Sequence, residues 1–188
     1  MPESVLKKAG AEILNYHGTG MSVMEMSHRS AAFQEIFDST KAALRAALNV
    51  PDSHEILFLQ GGATLQFAAI PMNLMRGGAA DYAVTGNFSG KAAREAAKYG
   101  GVHIAADTSS TGHDRIPAQQ ELAESADARY FYYCANNTIY GTEWQYVPEV
   151  HSPLVCDMSS DILSKPVDAA KYGLIYAGAQ KNMAPAGL

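Results

Sequence analysis

The sequence predicts an α/β fold, a mostly parallel sheet sandwiched by helices, in a single domain spanning 1–188. Three observations carry this reading. Short apolar runs of strand length alternate with segments whose apolar residues recur every three or four positions, the pattern of strands joined by crossover helices. Several of the runs close on small or turn-forming residues, as at Gly61-Gly62, Gly86-Asn87 and Gly178-Ala179. No internal repeat, low-complexity tract or flexible linker divides the chain.

In chain order, Pro2 to Leu14 reads as a helix with proline in its first turn and Val5, Leu6, Ala9 and Ile13 on one side. The glycine-bearing stretch from Asn15 to Arg29 has no clean period and reads as a loop. From Ser30 to about Asn49, Phe33, Ile36, Phe37, Leu44, Ala47 and Leu48 keep helical spacing, so a long amphipathic helix is expected. Glu55 to Leu59 reads as a first strand, and Gly61-Gly62-Ala63-Thr64 opens a helix reaching Met75. Further strands are expected at Ala80 to Thr85, Val102 to Ala106, Arg129 to Ala135, Pro153 to Met158 and Gly173 to Ala177. Helices at Ser89 to Tyr99 and near Ala118 to Ala123, and a helical turn near Val167 to Lys171, complete the prediction. Strands alternating with helices favour a parallel sheet covered on both faces.

Composition narrows the function. Hydrophobic residues make up 47% and charged residues 18%, enough to build a core and too apolar for a disordered chain. The net charge of -5 offers no basic surface for nucleic acid or an anionic membrane, so neither partner is expected. Cys134 and Cys156 sit singly in apolar runs and read as buried thiols of a reducing compartment, which points to the cytoplasm; a metal pair or a disulfide is not indicated. The N-terminal stretch lacks an apolar signal core, and no run approaches the ~20 apolar residues of a membrane span.

The residues that bear chemistry cluster at predicted strand ends, where open α/β sheets bind ligands. Lys181 follows the apolar run Leu174-Ile175-Tyr176-Ala177 and stands among Ala, Gly, Met and Pro with no adjacent acid. A partly desolvated amine there would favour the neutral nucleophile that forms a Schiff base with an aldehyde cofactor; read alone, the same residue is an ordinary loop lysine. Gly61-Gly62-Ala63-Thr64 combines backbone that can approach a phosphate with a helix N-terminus, although a Gly-Gly turn is also simple geometry. No Gly-Lys-Ser/Thr follows, so it is not a Walker loop. Phe88 could lie flat on a planar ring or fill the core. Thr138 could bond a ring oxygen or serve as a turn residue. Asp157 ends an apolar strand, where a carboxylate is costly to bury without a cation; a protonated pyridine nitrogen would be such a partner, and a helix cap is the plainer role.

Taken together, Ser27-His28-Arg29, Gly61 through Phe67, Asp157 with Ser159-Ser160, and Gly178-Ala179-Gln180-Lys181-Asn182 resemble, in order and along essentially the whole chain, the phosphoserine aminotransferase family. These are class V aminotransferases of pyridoxal-phosphate fold type I. The resemblance implies that 1–188 is part of the large cofactor-binding domain, with pyridoxal 5'-phosphate as cofactor. It implies Lys181 as the Schiff-base lysine that also moves a proton, and Asp157 as partner of the pyridinium nitrogen. Thr138 would bond the ring hydroxyl, Phe88 would stack on the ring, and Gly62, Ala63, Thr64 and Gln180 would surround the phosphate. His28 and Arg29 would bind substrate phosphate across a homodimer interface, Arg29 through its planar fork. The implied reaction is amino transfer between glutamate and 3-phosphohydroxypyruvate, giving 2-oxoglutarate and phosphoserine.

Three departures from the family pattern stand out. Phe88 replaces a frequent tryptophan, and Thr64 stands where some members carry an arginine. The chain also stops at Leu188, seven residues beyond Lys181 (188 minus 181), and lacks the usual Asn-Phe-Ser-Ala-Gly-Pro-type opening, so both ends look cut and the small C-terminal domain is absent. A complementary C-terminal chain is then a second expected partner. The alternatives are a non-catalytic fragment or interaction module, and a class V enzyme for another amino or keto acid.

Overall fold

A computed structural model of the chain describes residues 1–186; Gly187 and Leu188, the end of the segment that follows Lys181, lie outside the described residues. The chain divides into two compact units, Met1–Ile56 and Leu57–Leu188.

In the first unit, α1 (Glu3–Glu12) follows the extended Pro2. The loop after it contains two 3-10 turns, and the second is held by a capping box between Ser22 and Glu25. Helix α2 (Ala31–Ala47) starts where the Ser30 hydroxyl accepts the Phe33 N–H at 3.2 Å, satisfying one of the donors a helix start leaves free. Past its end, the Arg45 guanidinium donates to the carbonyls of Val50, Pro51 and His54 at 3.2, 2.9 and 3.0 Å and so ties the following turn to the last helical turn.

The second unit holds the sheet. Its elements are α3 (Gly62–Leu74), β1 (Ala79–Val84), α4 (Asn87–Ala96), β2 (Gly101–Asp107), β3 (Phe131–Cys134), the hairpin β4 (Asn136–Asn137) and β5 (Thr142–Glu143), β6 (Leu154–Asp157), β7 (Leu174–Tyr176) and α5 (Ala179–Asn182). Five strands form one sheet in the order β2-β1-β3-β6-β7, every pairing parallel. Register places Tyr82, Tyr132, Val155 and Leu174 in one row across the sheet, and Cys134, Asp157 and Tyr176, two residues on, in the row that follows on the same face toward the carboxyl edge. Phe67, Ile70, Ala92, Ala93 and Ala96 of α3 and α4 pack on this face around the tyrosines. The opposite face is covered by irregular chain: Trp144 meets Tyr133 edge-on with ring centroids 5.1 Å apart, and the Tyr172 hydroxyl lies 3.1 Å from that of Tyr133. No helix among the described residues is long and apolar enough to cross a membrane.

Two expected elements are not formed. Glu55 to Leu59 pairs with no described strand, and Leu57 and Leu59 are 72% and 54% exposed. Its apolar pattern encodes a face to bury, whereas a strand also needs a neighbouring ladder. The helix near Ala118 to Ala123 is one 3-10 turn, Gln119–Glu121, because Glu121 satisfies its surroundings locally: its carboxylate accepts the Ala118 N–H and both arms of Arg115, each at 2.7 Å. The turn near Val167 to Lys171 is likewise a single 3-10 turn, Ala169–Lys171.

One buried carboxylate secures the sheet away from the site. Asp81, 1% exposed, accepts the Ser125 N–H at 2.6 Å and the Ser125 hydroxyl at 2.7 Å, with His103 Nδ1 at 3.1 Å. Asp81→Ala orphans the Ser125 donors, so we expect a loss of about 2 kcal/mol in the urea unfolding free energy; an unchanged midpoint would show that solvent replaces the carboxylate at no cost.

Candidate active site

One cavity of about 200 Å³ in the second unit is lined by Gly62, Ala63 and Thr64 at the start of α3, Phe88, Thr138, Asp157, and Gln180 and Lys181 of α5. The fold brings Phe88, Thr138, Asp157, Gln180 and Lys181 together because they follow, or end, strands whose carboxyl ends share one edge of the parallel sheet, while Gly62, Ala63 and Thr64 come from the start of α3, ahead of the first strand.

The α3 turn needs its glycines. Gly61 and Gly62 have φ of 98° and 64°, in the left-handed region, and a Cβ on Gly61 would meet Leu65 Cδ2 at 2.4 Å. The first residues of α3 line the cavity, and with no side-chain cap at the helix start its free N–H groups suit an anion. Phe88 lies in the first turn of α4, one element later than the turn in which the sequence places it. Thr138 sits in the β4–β5 turn, and that hairpin is locked in place by Asn137. Its amide donates to Thr142 Oγ1 at 3.0 Å, and its Oδ1 accepts from Thr85 Oγ1 at 3.3 Å. The same oxygen packs so closely on Gly86 that a Cβ there would stand 2.7 Å away.

Asp157 ends β6 and is 4% exposed. Its Oδ1 accepts the Ser159 N–H and its Oδ2 the Tyr176 hydroxyl, both at 2.9 Å. Among the described residues no lysine, arginine or histidine forms an ion pair with it. The turn carrying Lys181 is tied to the segment after β6 at two points: the Gly178 N–H donates to Ser159 Oγ at 2.9 Å and Asn182 Nδ2 donates to the Ile162 carbonyl at 2.7 Å. Lys181 Nζ then stands 5.1 Å from the centroid of the Phe88 ring.

The expected desolvation of Lys181 is not found. The residue lines the cavity yet is exposed, since α5 is a single turn at the sheet edge. His28 and Arg29 belong to the first unit, in the exposed turn ahead of α2. A larger cleft, about 560 Å³, borders Glu149, His151 and Lys171, but it reaches the sheet at Leu154, the first residue of β6, and holds none of the motif residues.

Residues that sequence reasoning left without a role also line the cavity: Phe67, Cys134, Asn136, Ser159 and Ser160. The Ser159-Ser160 pair, one residue beyond Asp157, was the available signal. Asn136 Nδ2 donates to Ser160 Oγ at 2.9 Å, while that hydroxyl donates to the Asn136 carbonyl at 3.2 Å. Both cysteines are free and buried, and burial pushes their thiols up.

Close by, burial pushes the Asp161 carboxyl up to about 6, opposed by the Lys165 ammonium and reinforced by Glu143. Its Oδ1 is buried with no hydrogen-bond partner among the described residues. Ionising this group opposes folding, because its folded value lies above the unfolded one; stability should be greatest below about pH 4 and fall as pH rises to about 6. Asp161→Asn should therefore exceed the parent by about 2 kcal/mol in urea unfolding at about pH 8 and by less at about pH 4. Equal differences at the two pH values would contradict this.

The family described as Aminotransferase class-V matches residues 1–188, the whole chain. A curated phosphoserine aminotransferase of Laribacter hongkongensis (strain HLHK9) is 50% identical over 189 residues, covering 100% of this chain and 53% of that protein. The solved phosphoserine aminotransferase from Bacillus circulans subsp. alkalophilus superposes with a TM-score of 0.96 at 43% identity over 100% of this chain and 52% of its own. The PLP-bound phosphoserine aminotransferase from Trichomonas vaginalis gives 0.88 at 40% identity over 97% of this chain and 52% of its own. The chain thus spans about half the length of the curated relatives it matches. With its full length matched and the ordered strand-end residues gathered in one cavity, the chain belongs to the class-V aminotransferase family.

Proposed function

We propose that the cavity holds pyridoxal 5'-phosphate and that the complete protein transfers an amino group between glutamate and 3-phosphohydroxypyruvate, giving 2-oxoglutarate and phosphoserine. The observation that carries this reading is Asp157: a buried carboxylate with two neutral donors and no cationic partner among the described residues, facing a cavity that also holds a lysine amine and an aromatic ring. A buried anion of this kind calls for a positive hydrogen-bond donor, and a protonated ring nitrogen is one.

The residues fit the group at each end. Gly62, Ala63, Thr64 and Gln180 hold the phosphate, the first three through the α3 N-terminus. Phe88 covers one face of the ring, and Thr138 bonds its hydroxyl. Asp157 keeps the ring nitrogen protonated. The cofactor, when bound, supplies an electron sink that makes a Cα–H bond of the amino donor labile. Lys181 Nζ anchors the cofactor and is the base that takes the Cα proton. That Lys181 stands exposed suits an amine that both substrates must reach.

His28 and Arg29 bind the substrate phosphate, from the second copy of a homodimer. The keto acid's phosphate then selects the substrate, since a guanidinium fork bonds two of its oxygens at once. Two buried free thiols accord with a cytoplasmic location.

Borohydride reduction after incubation with pyridoxal phosphate should leave one mass adduct, mapped to Lys181 and abolished by Lys181→Ala; an adduct elsewhere, or none, sinks the assignment. In the complete protein, Arg29→Ala should raise KM for the phosphorylated keto acid about 10-fold or more while KM for glutamate holds. Equal changes for both substrates would remove Arg29 from phosphate recognition.

A further inference from the structure

We infer that Tyr176 is a positioning residue for Asp157, holding the carboxylate toward the cavity with a neutral hydrogen bond that leaves its charge for the ring nitrogen. The inference rests on the reading of this cavity as a pyridoxal phosphate site.

The sheet register makes Asp157 and Tyr176 direct partners across β6 and β7, on the face that α3 and α4 cover. The Tyr176 hydroxyl donates to Asp157 Oδ2 at 2.9 Å. It has one proton, and a carboxylate can only accept, so the neighbouring Tyr132 hydroxyl, 2.9 Å away, must be the donor toward Tyr176. This sets a direction: Tyr132 to Tyr176 to Asp157. All three are buried, at 1%, 8% and 4% exposure, so water does not compete with the chain. Burial also pushes both phenols up, which keeps them protonated donors throughout the working range.

The choice of phenol has a consequence. A lysine or arginine beside Asp157 would neutralise it and compete with a protonated ring nitrogen. The backbone N–H of Ser159 and the phenol of Tyr176 fix one oxygen each without adding charge. A carboxylate offers about four lone-pair sites, so capacity remains for a donor entering from the cavity. Ser159 contributes through its backbone N–H, which side-chain substitutions other than proline retain; Tyr176 is the side chain that sets the orientation.

The test uses Tyr176→Phe, which deletes one oxygen, with Tyr132→Phe as a second variant should the first fail to fold, checked by urea unfolding. Pyridoxal phosphate labelled with nitrogen-15 in the ring is titrated into each protein, reading the dissociation constant and the ring-nitrogen NMR shift. Tyr176→Phe should still form the Lys181 adduct, bind the cofactor about 10-fold more weakly and move the ring-nitrogen signal toward its unprotonated position. Tyr132→Phe should do the same to a smaller extent. In an Asp157→Asn background, Tyr176→Phe should change neither quantity further. Parental affinity and shift in folded Tyr176→Phe overturn the inference while leaving the site intact. An undiminished loss in the Asp157→Asn background also overturns it, since it assigns Tyr176 to packing alone. If the parent protein forms no Lys181 adduct, the cofactor site and the inference fall together.

Discussion

Burying a carboxylate at the last residue of a central parallel strand leaves several acceptor sites to be satisfied away from water, and at Asp157 the surrounding structure supplies two neutral donors, one to each oxygen. The Ser159 N–H requires the chain to turn sharply after β6, and the Tyr176 hydroxyl requires β7 to lie alongside in one register. A slip of one residue in that pairing would move Tyr176 to the other face and leave the carboxylate half satisfied. The parallel order β3-β6-β7 is therefore tied to the electrostatics of one residue as well as to the burial of apolar side chains.

Ser159 links that carboxylate to the rest of the site. Its N–H serves Asp157, and its hydroxyl accepts the Gly178 N–H, so the segment that orients the acid also sets the start of α5, where Lys181 stands. On the other side of the cavity Asn137 plays the same connecting part. Packed on Gly86 and bonded to Thr85, it joins the β4–β5 hairpin bearing Thr138 to the start of α4 bearing Phe88. Acid, lysine, hydroxyl and ring are thus held by short side chains bridging adjacent strand ends, a way to obtain rigid placement from loops.

Much of this was legible in the sequence because periodicity records burial. Helices α1 through α4 and the five strands of the sheet lie within a few residues of where apolar spacing puts them. The failures have separate causes. Glu55 to Leu59 has the composition of a strand but no ladder partner among the described residues, and the segment near Ala118 became a single turn through the local bonds of Glu121. The hairpin at Asn136–Glu143 escaped notice because two residues per strand are too few to show alternation.

The sequence by itself determined the ordered set of chemical types: a glycine turn opening a helix, an aromatic ring, a threonine, an acid ending a strand and a lysine after the next one. Those identities and their order suffice for family membership, since they are properties of the chain. Only the tertiary structure decided that they face one cavity, that Asp157 is held by Tyr176 and Tyr132, and that Lys181 remains exposed at its edge. Hydrogen-bond partners and exposure are set by which strands lie side by side and in what register, and residues 19 or 44 positions apart in the chain carry no local mark of meeting.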